Sequence, residues 1–126
     1  MDPMCRAIDL SRTGLRYGGP FGAVVTRGTE IIGEGFHTMS SRRDATAHAA
    51  INAIRDAGRF LKSPDLSACE LHVSCALCPL CAAAAYYAGI RKVFYADSRK
   101  DGVACNPESM EFVQAREPER IAARRF

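Results

Sequence analysis

The chain has 126 residues, of which 48% are hydrophobic and 25% are charged, a composition typical of one globular domain with a single core. Its formal net charge of +3 is too small to indicate a nucleic-acid-binding protein by itself. No apolar run approaches the roughly 18 residues of a membrane span, and Met1–Leu10 carries Asp2, Arg6 and Asp9, which a signal peptide would not. We therefore expect a single domain over residues 1–126, located in the cytoplasm.

The first half of the chain predicts a helix followed by a hairpin. The helix covers residues 3–17, and Gly18-Gly19-Pro20 ends it. The hairpin consists of a strand at Ala23–Arg27, a tight turn at Gly28-Thr29 and a return strand at Glu30–Phe36. Hairpin strands are antiparallel, so the sheet begins with an antiparallel pair.

The second half alternates helices and strands. The clearest helix is Thr46–Ala57, because Ala47, Ile51 and Ile54 fall at i, i+4 and i+7, and Gly58 is expected to end it. The later elements are a strand at Glu70–Ser74, an Ala-rich helix at Cys78–Ala88, a strand at Val93–Ala96 and, from about Pro107, one or two helices. A strand–helix–strand run implies parallel pairing. We therefore predict an α/β fold with a mixed, about five-stranded sheet between helices.

Three of the six cysteines cluster in the segment Cys75-Ala76-Leu77-Cys78-Pro79-Leu80-Cys81, which in a cytosolic protein favours a metal site over disulfides. With Cys78 at a helix N-cap and Pro79 at the first helical position, Cys78 and Cys81 share one face, and the helix N-terminus favours their thiolates. Two such thiolates are half of a tetrahedral zinc site. A bare C-x-x-C is equally consistent with buried free thiols or a redox pair, but the Pro at the helix start favours metal.

His48 is the candidate third ligand, because it lies in the first turn of the helix predicted from Thr46. A single His beside an apolar stripe is more often a packed residue, yet the cysteine pair favours a ligand here. Three protein ligands leave one coordination position open to water, which is the pattern of a catalytic zinc site. His37 and His72 are rival candidates, although neither begins a helix. We predict one Zn²⁺ bound by His48, Cys78 and Cys81.

Thr46-Ala47-His48-Ala49 and Cys78-Pro79-Leu80-Cys81 together resemble the zinc-dependent cytidine/deoxycytidylate deaminase superfamily, whose signature is H-x-E followed by P-C-x-x-C. The resemblance runs from about residue 4 to 100, includes Gly19–Val25 and Ala88–Val93, and is strongest to the guanine deaminase and tRNA adenosine deaminase branch. It implies a cytidine-deaminase-like three-layer α/β/α sandwich. It also implies hydrolytic deamination of a small nucleobase, nucleoside or related amino-heterocycle, with release of ammonia.

The sequence departs from the family pattern at the position that moves protons. Ala50 stands where the family has the Glu of H-x-E, Ala76-Leu77 replaces a Glu-Pro pair, and His37 aligns with an Asn of guanine deaminases. In the family, zinc lowers the pKa of coordinated water toward about 7, and the one carboxylate makes the proton transfers. Because Ala50 has no titratable group, we expect this chain to be an inactive form.

Two origins of Ala50 remain open. A single Glu→Ala replacement in an otherwise active parent would leave the metal ligands intact, as they are here. A natural pseudoenzyme would also have changed elsewhere, and Ala76, Leu77 and His37 fit that alternative unless they mark a different substrate. The intact ligands favour the active parent.

The resemblance also implies three substrate contacts. Phe21 stacks on the heterocycle, the backbone N–H of Ala49 donates to a ring carbonyl, and residue 37 hydrogen-bonds the base edge. From the residues alone, core packing explains Phe21 as well, and His37 in place of Asn disfavours guanine because its reach differs. Residues 48 and 50 are about 200° apart on an ideal helix, so both can face one cavity only if that cavity lies over the helix N-terminus.

The expected partners are a small heterocyclic substrate and a second copy of the chain. Ala82–Tyr87 is more apolar than one exposed face permits, and the matching helix packs at a subunit interface in the resembling families, so we expect a homodimer. Two other functions stay open: a non-catalytic zinc-binding subunit that partners an active deaminase, and a tRNA adenosine deaminase. A tRNA adenosine deaminase needs a basic surface, for which Arg42-Arg43 is a weak candidate, so nucleic acid is disfavoured as a partner. A membrane is disfavoured as well, because no apolar run is long enough to span one.

Overall fold

The structure, a computed structural model, describes residues 2–97 and 110–114. Within these ranges the helices and strands follow in this order: α1 (Pro3–Gly14), β1 (Gly22–Arg27), β2 (Glu30–Phe36), α2 (Met39–Arg42), α3 (Ala49–Leu61), β3 (Glu70–Cys75), α4 (Pro79–Tyr87), β4 (Lys92–Asp97) and β5 (Glu111–Gln114).

The five strands form one mixed sheet in the order β2-β1-β3-β4-β5. The hairpin partners β1 and β2 are antiparallel, and β1 is also antiparallel to β3. Gly28 has a φ of +63° in the hairpin turn, a conformation that glycine adopts without steric cost. The pairs β3–β4 and β4–β5 are parallel. This mixed five-stranded sheet confirms the prediction from the element order.

Helices cover both faces of the sheet. On one face α1 buries Met4, Ala7 and Ile8 against Ala96 of β4. On the other face, α3 and α4 bury their apolar residues in a larger cluster with β1, β3 and β4. The architecture is therefore the predicted α/β sandwich with a helix layer on each side. None of the helices in the described part of the chain is long and apolar enough to cross a membrane.

The spacing between α3 and the sheet is set by two glycines of β2. A Cβ atom at Gly35 would lie 2.5 Å from both the Ala49 carbonyl oxygen and the Ala53 nitrogen, and one at Gly33 would lie 2.6 Å from the Ala53 carbonyl oxygen. Backbone therefore packs directly on backbone along this contact. The contact at Ala49 fixes the height of the first turn of α3 above the sheet.

The start and the end of α3 both differ from the prediction. The helix begins at Ala49 rather than Thr46, because Asp44 Oδ1 accepts hydrogen bonds from the backbone and hydroxyl of Thr46 and holds the preceding segment in a turn. At the other end the helix continues through Gly58 to Leu61, and Lys62 ends it with a φ of +53°. A helical glycine costs only about 1 kcal/mol, which is too little to stop a helix that packs on the sheet.

Three other predictions are corrected. The first helix ends at Gly14 rather than residue 17, because the chain turns there with the Tyr17, Gly18 and Gly19 amides all donating to the Gly14 carbonyl. The short helix α2 was not predicted. The tail was expected to be helical, yet Glu111–Gln114 forms β5, because pairing with the free edge of β4 outweighs its weak helical pattern. Residues 98–109 and 115–126, with the rest of the predicted tail helices and Cys105, lie outside the described residues.

Replacing Gly35 by Ala should lower the free energy of unfolding by about 2–3 kcal/mol, because the added methyl group meets backbone atoms of α3 that cannot move away without shifting the helix. The matched control is Gly58→Ala, where the nearest atom would be 3.4 Å away and where Ala favours the helix by up to about 1 kcal/mol. Urea unfolding of both variants measures the difference. Equal stability of the two variants would contradict the close backbone contact.

Candidate functional site

Two helix N-termini meet at the carboxyl end of β3. His48 is the N-cap residue of α3, with φ −74° and ψ 157°, and Cys78 is the N-cap residue of α4, with φ −76° and ψ 170°. Pro79 takes the first helical position of α4, where its fixed φ suits the helix and its missing N–H costs nothing. Cys78 Sγ accepts a hydrogen bond from the Cys81 backbone N–H at 3.5 Å. The two extended N-cap residues thus direct their side chains toward the same point.

The side chains of His48, Cys78 and Cys81 have the geometry of a metal centre. His48 Nδ1 lies 3.4 Å from Cys78 Sγ and 3.4 Å from Cys81 Sγ, and the three ligand atoms all lie within 4.8 Å of one another. Zn–S bonds of about 2.3 Å and Zn–N bonds of about 2.0 Å at tetrahedral angles separate N and S ligands by about 3.5 Å. One imidazole and two thiolates are also a donor set that zinc prefers, so the residues present fit a zinc ion.

A cavity of about 300 Å³ opens beside this group. Its described lining comes from β1, the segment around α2, the start of α3 and the segment from β3 to α4: Phe21, Gly22, His37, Met39, His48, Ala49, Ala50, Val73, Ser74, Cys75, Ala76, Leu77, Cys78 and Cys81. Among these lining residues there is no Asp, Glu, Lys or Arg. The described wall of the cavity therefore offers aromatic, amide, imidazole and thiol groups, and neither a carboxylate nor a fixed cation.

Ala49 and Ala50 are the first two residues of α3 and both line the cavity. The sequence required the cavity to lie over this helix N-terminus if residues 48 and 50 were to share it, and the structure places it there. The first N–H groups of a helix have no acceptor within the helix, so this end of α3 presents amide donors. Ala50 is 3% exposed, and its methyl group adds no polar atom to the wall.

His37 lies at the side of the cavity between two other aromatic rings. Its ring centroid is 5.5 Å from that of Phe21, edge to face, and 5.3 Å from that of His48. A Cβ atom at Gly18 would lie 2.9 Å from His37 Cδ2, so the absence of a side chain at residue 18 makes room for the ring. Burial, and to a smaller extent the neighbouring His48, lowers the pKa of His37, which keeps the imidazole neutral near pH 7.

The rival histidines do not join the metal group. His37 lines the cavity but is outside the set of three ligands. His72 lies on the opposite face of the sheet, where its ring stacks on Phe94 at 4.8 Å and its Nε2 is 3.2 Å from the Thr26 hydroxyl. Burial lowers the pKa of His72 to about 4, because the partly buried ring is poorly solvated and its charged form is disfavoured.

The structure brings Phe21, His37, Ala49 and Ala50 into one cavity with the metal group, and their roles toward a substrate stay predictions. The prediction that His48 lies within the first helical turn is corrected to the N-cap position. Sequence reasoning missed Met39, because α2 was not predicted, and it missed Ser74, whose hydroxyl accepts from the Gly22 N–H. Ser74 directly precedes the cysteine cluster, and that position at the carboxyl end of a strand was an available signal.

Comparison with known proteins identifies the class to which this fold and site belong. Residues 3–97 match the model of the cytidine and deoxycytidylate deaminase zinc-binding region, so the chain belongs to this family. A solved structure from a study of A-to-I editing by tRNA:A34 deaminases superposes with a TM-score of 0.82 at 28% identity, over 90% of this chain and 96% of that chain. The cytidine-deaminase fold is therefore confirmed. Zinc is confirmed as the cofactor by the family model and by the His/Cys/Cys group.

Two curated relatives have a higher sequence identity to this chain than that structure has. The guanine deaminase of Bacillus subtilis (strain 168) is 42% identical over 98 residues, which are 76% of this chain and 63% of that protein. The tRNA-specific adenosine deaminase of Buchnera aphidicola subsp. Schizaphis graminum (strain Sg) is 37% identical over 82 residues, covering 65% of this chain and 54% of that protein. The chain thus spans less than two thirds of the length of either relative.

We expect one zinc per chain, lost on replacing either cysteine of the metal group. Cys78→Ser and Cys81→Ser each remove a thiolate, and we expect zinc content after desalting to fall at least tenfold. Cys75→Ser is the matched control, because Cys75 lines the same cavity but lies outside the metal group, so this variant should keep its zinc. Elemental analysis together with circular dichroism measures zinc and folding. Zinc retained in the Cys78 and Cys81 variants would overturn the ligand set.

Proposed function

We propose that this domain binds zinc through His48, Cys78 and Cys81 and holds a small nucleobase, nucleoside or related amino-heterocycle beside it, in the framework of a hydrolytic deaminase. The observation that carries the proposal is a cavity of about 300 Å³ with this group in its wall. In this chain Ala50 occupies the position of the family's proton-transferring Glu, so we propose that the chain binds its substrate with little turnover.

Three groups in the cavity suit a flat heterocycle. The Phe21 ring offers an apolar face for stacking. The Ala49 N–H, at the first position of α3, is an available donor for a ring carbonyl. His37 is neutral and can donate with one ring nitrogen and accept with the other. Together they hold a planar ring with polar groups on its edge against the metal side of the cavity.

The reaction of this class replaces an amino group on the ring by oxygen, and zinc, when bound, supplies the activation of water near neutral pH. A ring nitrogen must gain a proton and the amine must leave protonated, which needs a group that takes and returns protons. None of the described lining residues is a carboxylic acid. Stacking and hydrogen bonding at Phe21, His37 and Ala49 do not depend on that group, so binding is kept while turnover is lost.

Introducing Glu at position 50 should create or restore ammonia release on at least one base or nucleoside. Residue 50 lines the cavity together with His48, and a positioned acid–base group accelerates such a reaction by about 10²–10⁴-fold. Ala50→Gln is the matched control, because the Gln side chain has the same size as that of Glu but cannot transfer protons. A coupled ammonia assay over purines, pyrimidines and triazines measures activity, and zinc content verifies the site in both variants.

Equal activity of the Glu and Gln variants would show that position 50 does not move protons. If the Glu variant folds, holds zinc and deaminates nothing across the panel, the enzyme proposal fails. The second candidate function, a non-catalytic zinc-binding subunit that partners an active deaminase, then takes its place. That candidate draws its support from the same observation, the lack of any carboxylate in the described lining.

We also propose that two copies of the chain associate through α4. This helix contains no charged residue, and Leu80, Ala83, Ala84 and Tyr87 form one stripe at i, i+3, i+4 and i+7. Tyr87 is 86% exposed and Tyr86 is 48% exposed, although neighbouring Ala82 and Ala85 are buried in the core. A helix that is apolar on all sides is normally covered on all sides, which supports a second copy as the cover.

Size-exclusion chromatography with light scattering at micromolar concentration should therefore give twice the chain mass. The double variant Leu80→Lys, Tyr87→Lys should run as a monomer, because two buried charges would oppose association. Phe60→Lys is the control, since Phe60 is also apolar and 57% exposed but lies on α3, and it should remain a dimer. A monomeric parent chain would contradict the association.

A further inference from the structure

A second cleft, polar and about 310 Å³ in volume, lies between α1, β2 and α3. Four arginines from three helices line it: Arg6 of α1, Arg42 of α2, and Arg55 and Arg59 of α3. Neither the metal group nor the proposed deamination uses any of them. Arg55 and Arg59 also line a shallow groove next to the cleft, together with Lys62.

The carboxylates of this region leave most of that positive charge unsatisfied. Both oxygens of Glu34 are taken by Arg6, through its Nε and Nη2. Asp56 Oδ2 accepts a hydrogen bond from the Glu34 N–H, and its Oδ1 is 3.8 Å from Arg59. These two are the carboxylates among the residues that line the cleft and the groove.

The three remaining arginines have weak partners. Arg55 is 3.9 Å from Asp44, and its side chain and that of Arg59 are 45% and 74% exposed. Arg42 makes no ion pair with any described residue, although its charge helps to lower the pKa of Asp44. Exposed pairs at such distances contribute little. Their guanidinium groups are therefore available to another anion.

The residues that line the cleft and the groove carry more positive than negative charge. The lining of the cleft and the groove contains five cations and two carboxylates. Outside these positions the sequence keeps 12 of its 17 Lys and Arg and 12 of its 14 Asp and Glu, which cancel. A concave surface with clustered positive charge raises the local concentration of anions.

We propose that this cleft is a second ligand site, which binds the phosphate group of a small molecule. Guanidinium forks match phosphate oxygens in pairs, and arginines from three elements face one concavity rather than a flat surface. The cleft also offers uncharged hydrogen-bonding residues, Thr38 and Asn52, although the Asn52 amide donates to the Phe36 carbonyl and the Thr38 hydroxyl. The site is separate from the proposed deaminase chemistry, and the proposal does not depend on it.

The test is an NMR titration of the zinc-loaded, ¹⁵N-labelled chain with inorganic phosphate in chloride buffer. We expect saturable shifts that cluster at residues 38–42 and 52–59. Arg42→Gln should weaken binding about tenfold or more, whereas Glu34→Gln, which releases Arg6, should tighten it. Arg16→Gln is the matched control, because Arg16 is exposed and lines neither the cleft nor the groove, and it should bind as the parent does.

Adenosine monophosphate and a short single-stranded RNA separate the sources of the phosphate. The proposal expects the monophosphate to bind at the same residues at least as tightly as inorganic phosphate. It is overturned if phosphate gives no saturable shift by about 10 mM, if Arg42→Gln and Arg16→Gln bind alike, or if Glu34→Gln fails to tighten binding. RNA binding with a steep salt dependence, in the absence of monophosphate binding, would equally overturn it in favour of a nucleic-acid surface.

Discussion

The convergence of two helix N-termini on one end of β3 is the constraint on which the rest of this molecule depends. His48 and Cys78 are both N-cap residues in extended conformations, so their side chains leave the helices instead of lying along them. Cys81 follows one turn into α4 and completes the group. Each of the two helices packs on the sheet. The positions of the metal-binding side chains are therefore set by the helices and not by a separate loop. The cavity lies where the two helices begin, and its chemistry follows from that place.

The metal ligand His48 and residue 50 belong to the same helix start. His48 and Ala50 are two residues apart, and both line the cavity. Position 50 is not one of the three metal-binding residues, and the first N–H of the helix belongs to Ala49. The fold and the metal group are common to the catalytic and the non-catalytic interpretation, which differ in what they infer from residues 37, 50, 76 and 77.

Sequence reasoning was most successful where the chemistry is local. The four residues Cys78-Pro79-Leu80-Cys81 predict a helix start, a common helix face for the two cysteines, and a metal site. The structure agrees with the first two. The start of α3 was misplaced because the side chain of Asp44 competes for the Thr46 amide, which helical periodicity does not reveal. Similarly, β5 depends on the free edge of β4. The arginines of the cleft are spread from residue 6 to residue 59, so no sequence window could have joined them.

The close contact of Gly33 and Gly35 with α3 has a consequence for how this protein can vary. Main-chain atoms of β2 directly contact the first turn of α3, which carries His48 at its N-cap. Any side chain at residue 33 or 35 would disrupt this main-chain contact, because its Cβ would meet backbone atoms of α3. The frame that seats the N-cap histidine is therefore built from main-chain atoms, and substitutions at the two glycines are the ones that would move it.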